Sequence, residues 1–238
     1  MDPEKTGVGR LYGVGVGPGD PELITLRGHR ILSEVPVIFI PQKDERADSF
    51  AWSIIADMVD KSKVQGLIFP MSRDRKQLNE HWRKAAAIVW QHLDKGEDCA
   101  MVTLGDPLLY GTFIHLLETL RMEHPEVDVE VIPGVSSVTA AAARAVVPLA
   151  ISDERVAIIS GNDNDEAIRK TLESFDTIVF LKPNAMFDRL LGILGEMDLL
   201  DRCSYVSRCT TGDEEIVRDI RELKGKKLDY FSLLIVRK

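Results

Sequence analysis

The sequence is poor in cysteine, carries no excess of positive charge and has no long apolar run. Its three cysteines, Cys99, Cys203 and Cys209, are an odd number without CxxC spacing. That argues against a disulfide framework or a structural zinc site and suits a reducing compartment. Lys and Arg total 30 against 38 Asp and Glu, a net charge of −8. Nucleic-acid binding needs clustered cations on phosphates, so no nucleic-acid partner is expected. An anionic small substrate stays compatible, because a few local cations can line one pocket. No apolar run reaches the ~18 residues of a membrane span. The opening MDPEKTGVGR is charged and lacks a signal-type apolar stretch. The expectation is a cytoplasmic protein with no membrane partner. The five histidines, His29, His81, His92, His115 and His124, form no HExxH pattern. No metal bound by the protein itself is expected.

What is present alternates short β-rich runs with helical stretches, which predicts an α/β fold. Strands are expected at 11–15, 35–40, 63–69, 98–104 and 127–132, and in a second series at 155–160, 177–181, 203–207 and 230–236. The clearest helix runs from Glu80 to Leu93, where Trp82, Ala85, Ala86, Val89 and Leu93 recur at helical spacing and Gly96 follows as a stop. Further helices are expected at 111–120, 136–145, 165–175 and 185–197. Two α/β domains, 1–134 and 135–238, are the economical reading; one sheet of about ten strands is the alternative.

Three glycine-bearing turns each follow an expected strand. The first, Gly13-Val-Gly-Val-Gly-Pro-Gly-Asp-Pro21, fails the dinucleotide fingerprint, because the required third glycine falls on Pro18 or Asp20. No Lys-Ser or Lys-Thr follows, so a phosphate-binding P-loop fails too. What remains is a strand end a ligand can approach closely, or a tight turn with Asp20 or Thr25 as helix cap. The second, Thr103-Leu-Gly-Asp-Pro-Leu-Leu-Tyr-Gly111, places Gly105 and Asp106 at another strand end. There Asp106 can accept hydrogen bonds from a ribose or an ammonium group, or simply form an Asp-Pro turn. The third, Val131-Ile-Pro-Gly-Val-Ser-Ser137, runs into a helix start whose free N–H groups suit a polar ligand, or whose serines cap the helix. In a parallel sheet all three turns would meet at one edge.

At these residues the sequence resembles the tetrapyrrole (corrin/porphyrin) methyltransferases, and within them the precorrin-2 or cobalt-factor II C20 branch. The stretches are GVGVGPGDPELITLRG (13–28), VTLGDPLLYGTFIHLLE (102–118) and VEVIPGVSSVTAAAARAVVPLA (129–150). The likeness is weakest after about residue 160, where the family's glycine-threonine turn is replaced by Cys209-Thr210. The resemblance implies a homodimer of two-domain α/β subunits, with S-adenosyl-L-methionine in a cleft between the domains and bound unlike a dinucleotide. It implies C-methylation of an anionic tetrapyrrole on the way to cobalamin. Carried over by position, Pro18, Gly105, Asp106, Leu109, Ser136 and Ser137 become cofactor contacts. Leu181 and Tyr205 are their C-domain counterparts, and Tyr110 neighbours cofactor or substrate.

Methyl transfer from a sulfonium is an in-line displacement, so the protein must hold an electron-rich carbon about 3 Å from the methyl group. Asp20, on the first ligand turn, is the candidate base; water or the macrocycle itself are alternatives. Substrate carboxylates call for cations. Lys43, Arg46, Arg73, Arg75, Lys182 and Arg208 fall at expected loops or strand ends, with Arg73 and Arg75 as first candidates for the clamp. Rival readings are a diphthine-synthase-type or rRNA ribose methyltransferase of the same fold, and a binding module without turnover. The C20-type stretches and intact turns disfavour them.

Overall fold

The computed structural model describes residues 7–44, 49–70, 72, 74–160 and 164–238. The chain divides into two compact units, Met1–Ser136 and Ser137–Lys238. Each has its own five-stranded sheet, so the single-sheet alternative is excluded.

In the first unit, β1 (Arg10–Gly15), β2 (Val37–Gln42), β3 (Val64–Ile68), β4 (Cys99–Thr103) and β5 (Asp128–Ile132) lie in the order β3-β2-β4-β1-β5. Every pairing is parallel, so all five carboxyl ends share one edge. β4 is buried along its whole length, as a central parallel strand covered on both faces must be. Side chains alternate between two cores. Leu11, Phe39, Cys99 and Met101 meet α3 (Arg75–Leu93) and α4 (Phe113–Glu123). Val14, Ile38, Ala100 and Val102 meet α1 (Leu26–Glu34) and α2 (Phe50–Ile55). The helices end where local chemistry dictates. Thr25 caps α1 by accepting from Gly28 N–H, Asp74 caps α3 through Lys76 N–H, and Gly96 turns left-handed (φ 79°) just past α3. α3 therefore starts five residues before the expected Glu80. Its first turns carry no apolar face, so periodicity does not reveal them.

In the second unit β6 (Val156–Ser160), β7 (Thr177–Leu181), β8 (Cys203–Ser207), β9 (Glu215–Val217) and β10 (Ser232–Arg237) form the order β6-β7-β10-β8-β9. β10 runs antiparallel to both β7 and β8, so this sheet is mixed. α5 (Ser137–Ala145) packs against β8 and β10. α6 (Asp165–Ser174) and α7 (Phe187–Glu196) bury Ile168, Leu172, Leu190 and Leu194 in the main core of this unit.

Carboxylates tie the second unit together. Glu154 takes two hydrogen bonds from Arg237, at 2.8 and 3.0 Å, and one from Ile151 N–H. Glu214 takes hydrogen bonds from Arg144 and from Thr210 N–H. These partners hold both carboxyls below the usual glutamate range, and a hydrogen bond from Arg155 N–H does the same for Asp176. A depressed native value means the stabilisation is complete above the unfolded-state value and disappears as pH falls through the native one. Urea midpoints should therefore fall modestly below about pH 4, since solvent screens these largely exposed pairs. Glu214→Gln should flatten part of that drop; a profile superimposable on the wild type would contradict the assignment.

Candidate active site

The connections after β1 and β4 leave the first sheet on opposite faces, towards α1 and α3–α4 respectively, although the two strands are neighbours. A crevice opens at such a point, outside the carboxyl ends of the strands, and ligands collect there in open α/β sheets. All three glycine-bearing turns lie here. The Gly105 N–H donates to the Gly17 carbonyl at 2.8 Å, and Val16 N–H donates to the Thr103 carbonyl at 3.0 Å. Gly17 and Gly105 both have left-handed φ, 79° and 71°, which glycine alone adopts without strain. A side chain at Gly15 would put its Cβ 2.6 Å from the Gly105 carbonyl oxygen and 2.6 Å from Gly134 Cα. Three backbones from β1, β4 and β5 thus converge with no room for a Cβ between them. Gly13 differs: a Cβ there would strike the ring of the buried Phe113. Its role is to seat α4 on β1.

Asp106 joins two of the turns. One carboxylate oxygen accepts from Leu108 N–H at 2.9 Å, closing its own turn. The other accepts from Gly134 N–H at 3.1 Å, across 28 residues. Asp106 therefore has a structural task in addition to any ligand contact. Losing it would leave the Leu108 and Gly134 N–H groups without that acceptor.

The remaining first-unit candidates lie on or next to these turns in the chain. Pro18 is buried next to Gly17, Leu109 is half-buried, and Tyr110 is exposed with φ 54°. Ser136 follows Gly134 and closes the unit. Asp20 sits two residues past Pro18 and accepts from Glu22 N–H at 2.8 Å, capping a single 3-10 turn at Pro21–Leu23. Asp20 and Thr25 are both caps, on successive turns.

The second unit holds Ser137, Leu181 and Tyr205. Ser137 is the first residue of α5, and Leu181 the last of β7, with 8% exposure. Tyr205 is placed in the core of the second unit. It is 1% exposed in the middle of β8 and packs edge-on against Phe187 within the core. Burial pushes its phenol up, and hydrogen bonds with Ser232 and Ser207 pull it part of the way back. Its side chain belongs to packing.

Among the expected cations, Arg73 and Arg46 lie outside the described residues. Arg75 is an exposed first residue of α3 and not a loop residue; it still follows the carboxyl end of β3, on the shared edge. Lys43 is exposed just after β2. Lys182 is left-handed (φ 52°) with its ammonium 4.9 Å from the Tyr230 ring centroid. Arg208 is paired with Asp229 at 2.7 Å. One residue escaped sequence reasoning: Thr103, the last residue of β4, is 3% exposed and its hydroxyl has no hydrogen-bond partner among the described residues. A hydroxyl closing an otherwise apolar strand was the available signal. Among the described residues no group of three or more His, Cys, Asp or Glu is placed to hold a metal ion. Burial pushes the thiols of Cys99, Cys203 and Cys209 up to about 12, so none is a ready nucleophile.

A parallel sheet whose strand-end turns pack backbone against backbone at its switch point defines an open-sheet α/β protein of the kind that holds ligands at that edge. The family model described as Tetrapyrrole (Corrin/Porphyrin) Methylases matches residues 10–224, and the chain belongs to that family. It is 35% identical over 232 residues to the cobalt-precorrin-2 C(20)-methyltransferase of Salmonella typhimurium, covering 97% of both chains. It is also 35% identical over 234 residues to a Methanocaldococcus jannaschii protein named "Probable cobalt-precorrin-2 C(20)-methyltransferase", again over 97% of each. Among solved structures, uroporphyrin-III C-methyl transferase from Thermus thermophilus, complexed with S-adenyl homocysteine, superposes with a TM-score of 0.67 at 25% identity. That match covers 97% of this chain and 98% of the other.

Proposed function

We propose that this protein transfers the methyl group of S-adenosyl-L-methionine to the C20 meso carbon of a precorrin-2-type ring, the cobalt-bearing form first. The carrying observation is the side-chain-free wall made by Gly15, Gly105 and Gly134 and tied by Asp106, in a chain 35% identical to cobalt-precorrin-2 C(20)-methyltransferase. Three turns held this close at the carboxyl ends of β1, β4 and β5 gather their free backbone groups at one place, which suits a polar cofactor.

When bound, the sulfonium supplies an activated methyl group and no protein nucleophile is required. The chain's residues bind and orient. Pro18, Gly105, Asp106, Leu109, Tyr110 and Ser136 line the cofactor side in this proposal, and Ser137, Leu181 and, through its backbone, Tyr205 contribute from the second unit. Asp20, held in place by its cap on Glu22 N–H, is the group positioned to take a proton from the methylated carbon. Arg75, exposed at the strand-end edge with no ion pair of its own at 4.0 Å or less among the described residues, is the carboxylate clamp. We also infer work as a homodimer in a reducing cytosol, which three buried free thiols suit.

The test is calorimetry with S-adenosylhomocysteine, followed by parallel turnover of metal-free precorrin-2 and cobalt-factor II read by product mass. Binding plus the gain of one methyl on a precorrin-2-type ring supports the reading. Binding without turnover of either ring would favour a module that holds the cofactor only.

A further inference from the structure

Thr103 presents a physical contradiction in the structure without ligand. Its backbone is fully used: it pairs with Gly15 of β1, and its carbonyl accepts from Val16 N–H. The residue is 3% exposed, yet among the described residues Oγ1 has no hydrogen-bond partner. A buried hydroxyl left unpaired costs roughly 1–3 kcal/mol, and valine has the same shape without that cost. For the empty fold alone, valine would serve better.

The location says what the hydroxyl is for. By strand alternation Thr103 shares the face of Cys99 and Met101, under the start of α4. The turn from Gly105 to Gly111 folds back over it: a Cβ at Gly111 would lie 3.0 Å from Thr103 Cγ2 and 2.9 Å from the Pro107 carbonyl oxygen. That turn is conformationally loaded. Gly105 has φ 71° and Tyr110, which is not glycine, has φ 54°. It also holds two large apolar side chains, Leu108 and Tyr110, at 53% and 49% exposure. The unpaired hydroxyl thus lies beneath the same turn that supplies Gly105 and Asp106 to the crevice.

The geometry points to Thr103 as a cofactor-binding residue: its hydroxyl takes its missing hydrogen-bond partner from a polar group of the bound S-adenosyl cofactor, reached as the 105–111 turn adjusts. The inference rests on the cofactor reading above and adds to it a residue that the family resemblance does not supply. The hydrogen bond exists only in the bound state, so its free energy goes into affinity while the empty fold bears the cost of the unpaired group.

The experiment compares wild type, Thr103→Val and Thr103→Ser by thermal melting without ligand and by calorimetry with S-adenosylhomocysteine. Thr103→Val should melt at the wild-type temperature or above it and bind about tenfold more weakly. Thr103→Ser, which keeps the hydroxyl, should bind within about threefold of wild type. Three outcomes overturn the inference: unchanged affinity in the valine variant, a loss of melting temperature alongside affinity, or a serine variant as weak as valine. The second would mean the hydroxyl is part of the fold, and the third that the methyl group matters. Failure of the wild type to bind would remove the cofactor reading and this inference together, whereas wild-type binding matched by the valine variant removes this inference alone.

Discussion

Replacing Gly134 by alanine is expected to cost the first unit about 3 kcal/mol or more and to abolish measurable S-adenosylhomocysteine binding. The new Cβ would lie 2.7 Å from Gly15 Cα and closer still to the Gly105 carbonyl oxygen. Both obstacles are backbone, so neither can swing aside as a side chain would. Relief requires β1, β4 or β5 to shift, and overpacking in a well-filled region already costs roughly 1–3 kcal/mol when side chains can adjust. The crevice wall would be displaced by the same movement. Gly192→Ala provides the contrast. Gly192 is exposed within α7 and has nothing within 4 Å of its added Cβ. There alanine should gain roughly 0.5–1 kcal/mol through helix propensity. Thermal melting and calorimetry read both variants, and a Gly134→Ala protein with wild-type melting and affinity would refute the three-backbone wall.

Asp106→Ala has the second largest expected effect, and here stability and affinity should fall together. Two backbone N–H groups, Leu108 at 2.9 Å and Gly134 at 3.1 Å, lose an ionised acceptor. Each hydrogen bond to a charged group contributes roughly 1.5–3 kcal/mol when well sheltered. Asp106 is only partly buried, so about 2 kcal/mol in total is the expected loss. Affinity should fall at least tenfold, because Gly134 is no longer held against Gly105. Asp106→Asn keeps one acceptor oxygen but turns an NH2 towards an N–H donor, and should fall between alanine and wild type. Unchanged melting with weakened binding would return Asp106 to a purely ligand-facing role.

Much of this site was legible because glycine at a strand end has few explanations. The turns around Gly15–Gly17, Gly105 and Gly134 could each be read as a close-approach position, and parallel pairing brings their strands side by side. The order β3-β2-β4-β1-β5 was not legible, because it depends on distant pairings, such as Val37 with Cys99 and Leu11 with Val129, that no local pattern encodes. Strands at 177–181 and 203–207 stood out as short apolar blocks. β9, with three residues, is too short for any periodicity to show. The antiparallel course of β10 is likewise a tertiary outcome. Gly13 looked like part of the ligand turn, and only packing reveals that it answers to Phe113. Asp106 shows the same limit from the other side. An Asp-Pro turn was visible, but the bond to Gly134 N–H was not.

The central claim is regiospecific methylation of the macrocycle at C20, and the position of the new carbon tests it most directly. The enzyme would be given S-adenosylmethionine carrying a carbon-13 methyl group and cobalt-factor II or precorrin-2, and the product examined by NMR. In the proposed reading the cofactor lies at the turns of Gly15, Gly105 and Gly134, so one ring edge alone can present a carbon in line with the methyl group. The account predicts a single labelled methyl on the C20 meso carbon and none on uroporphyrinogen. A labelled methyl on a pyrrole β-carbon would contradict it.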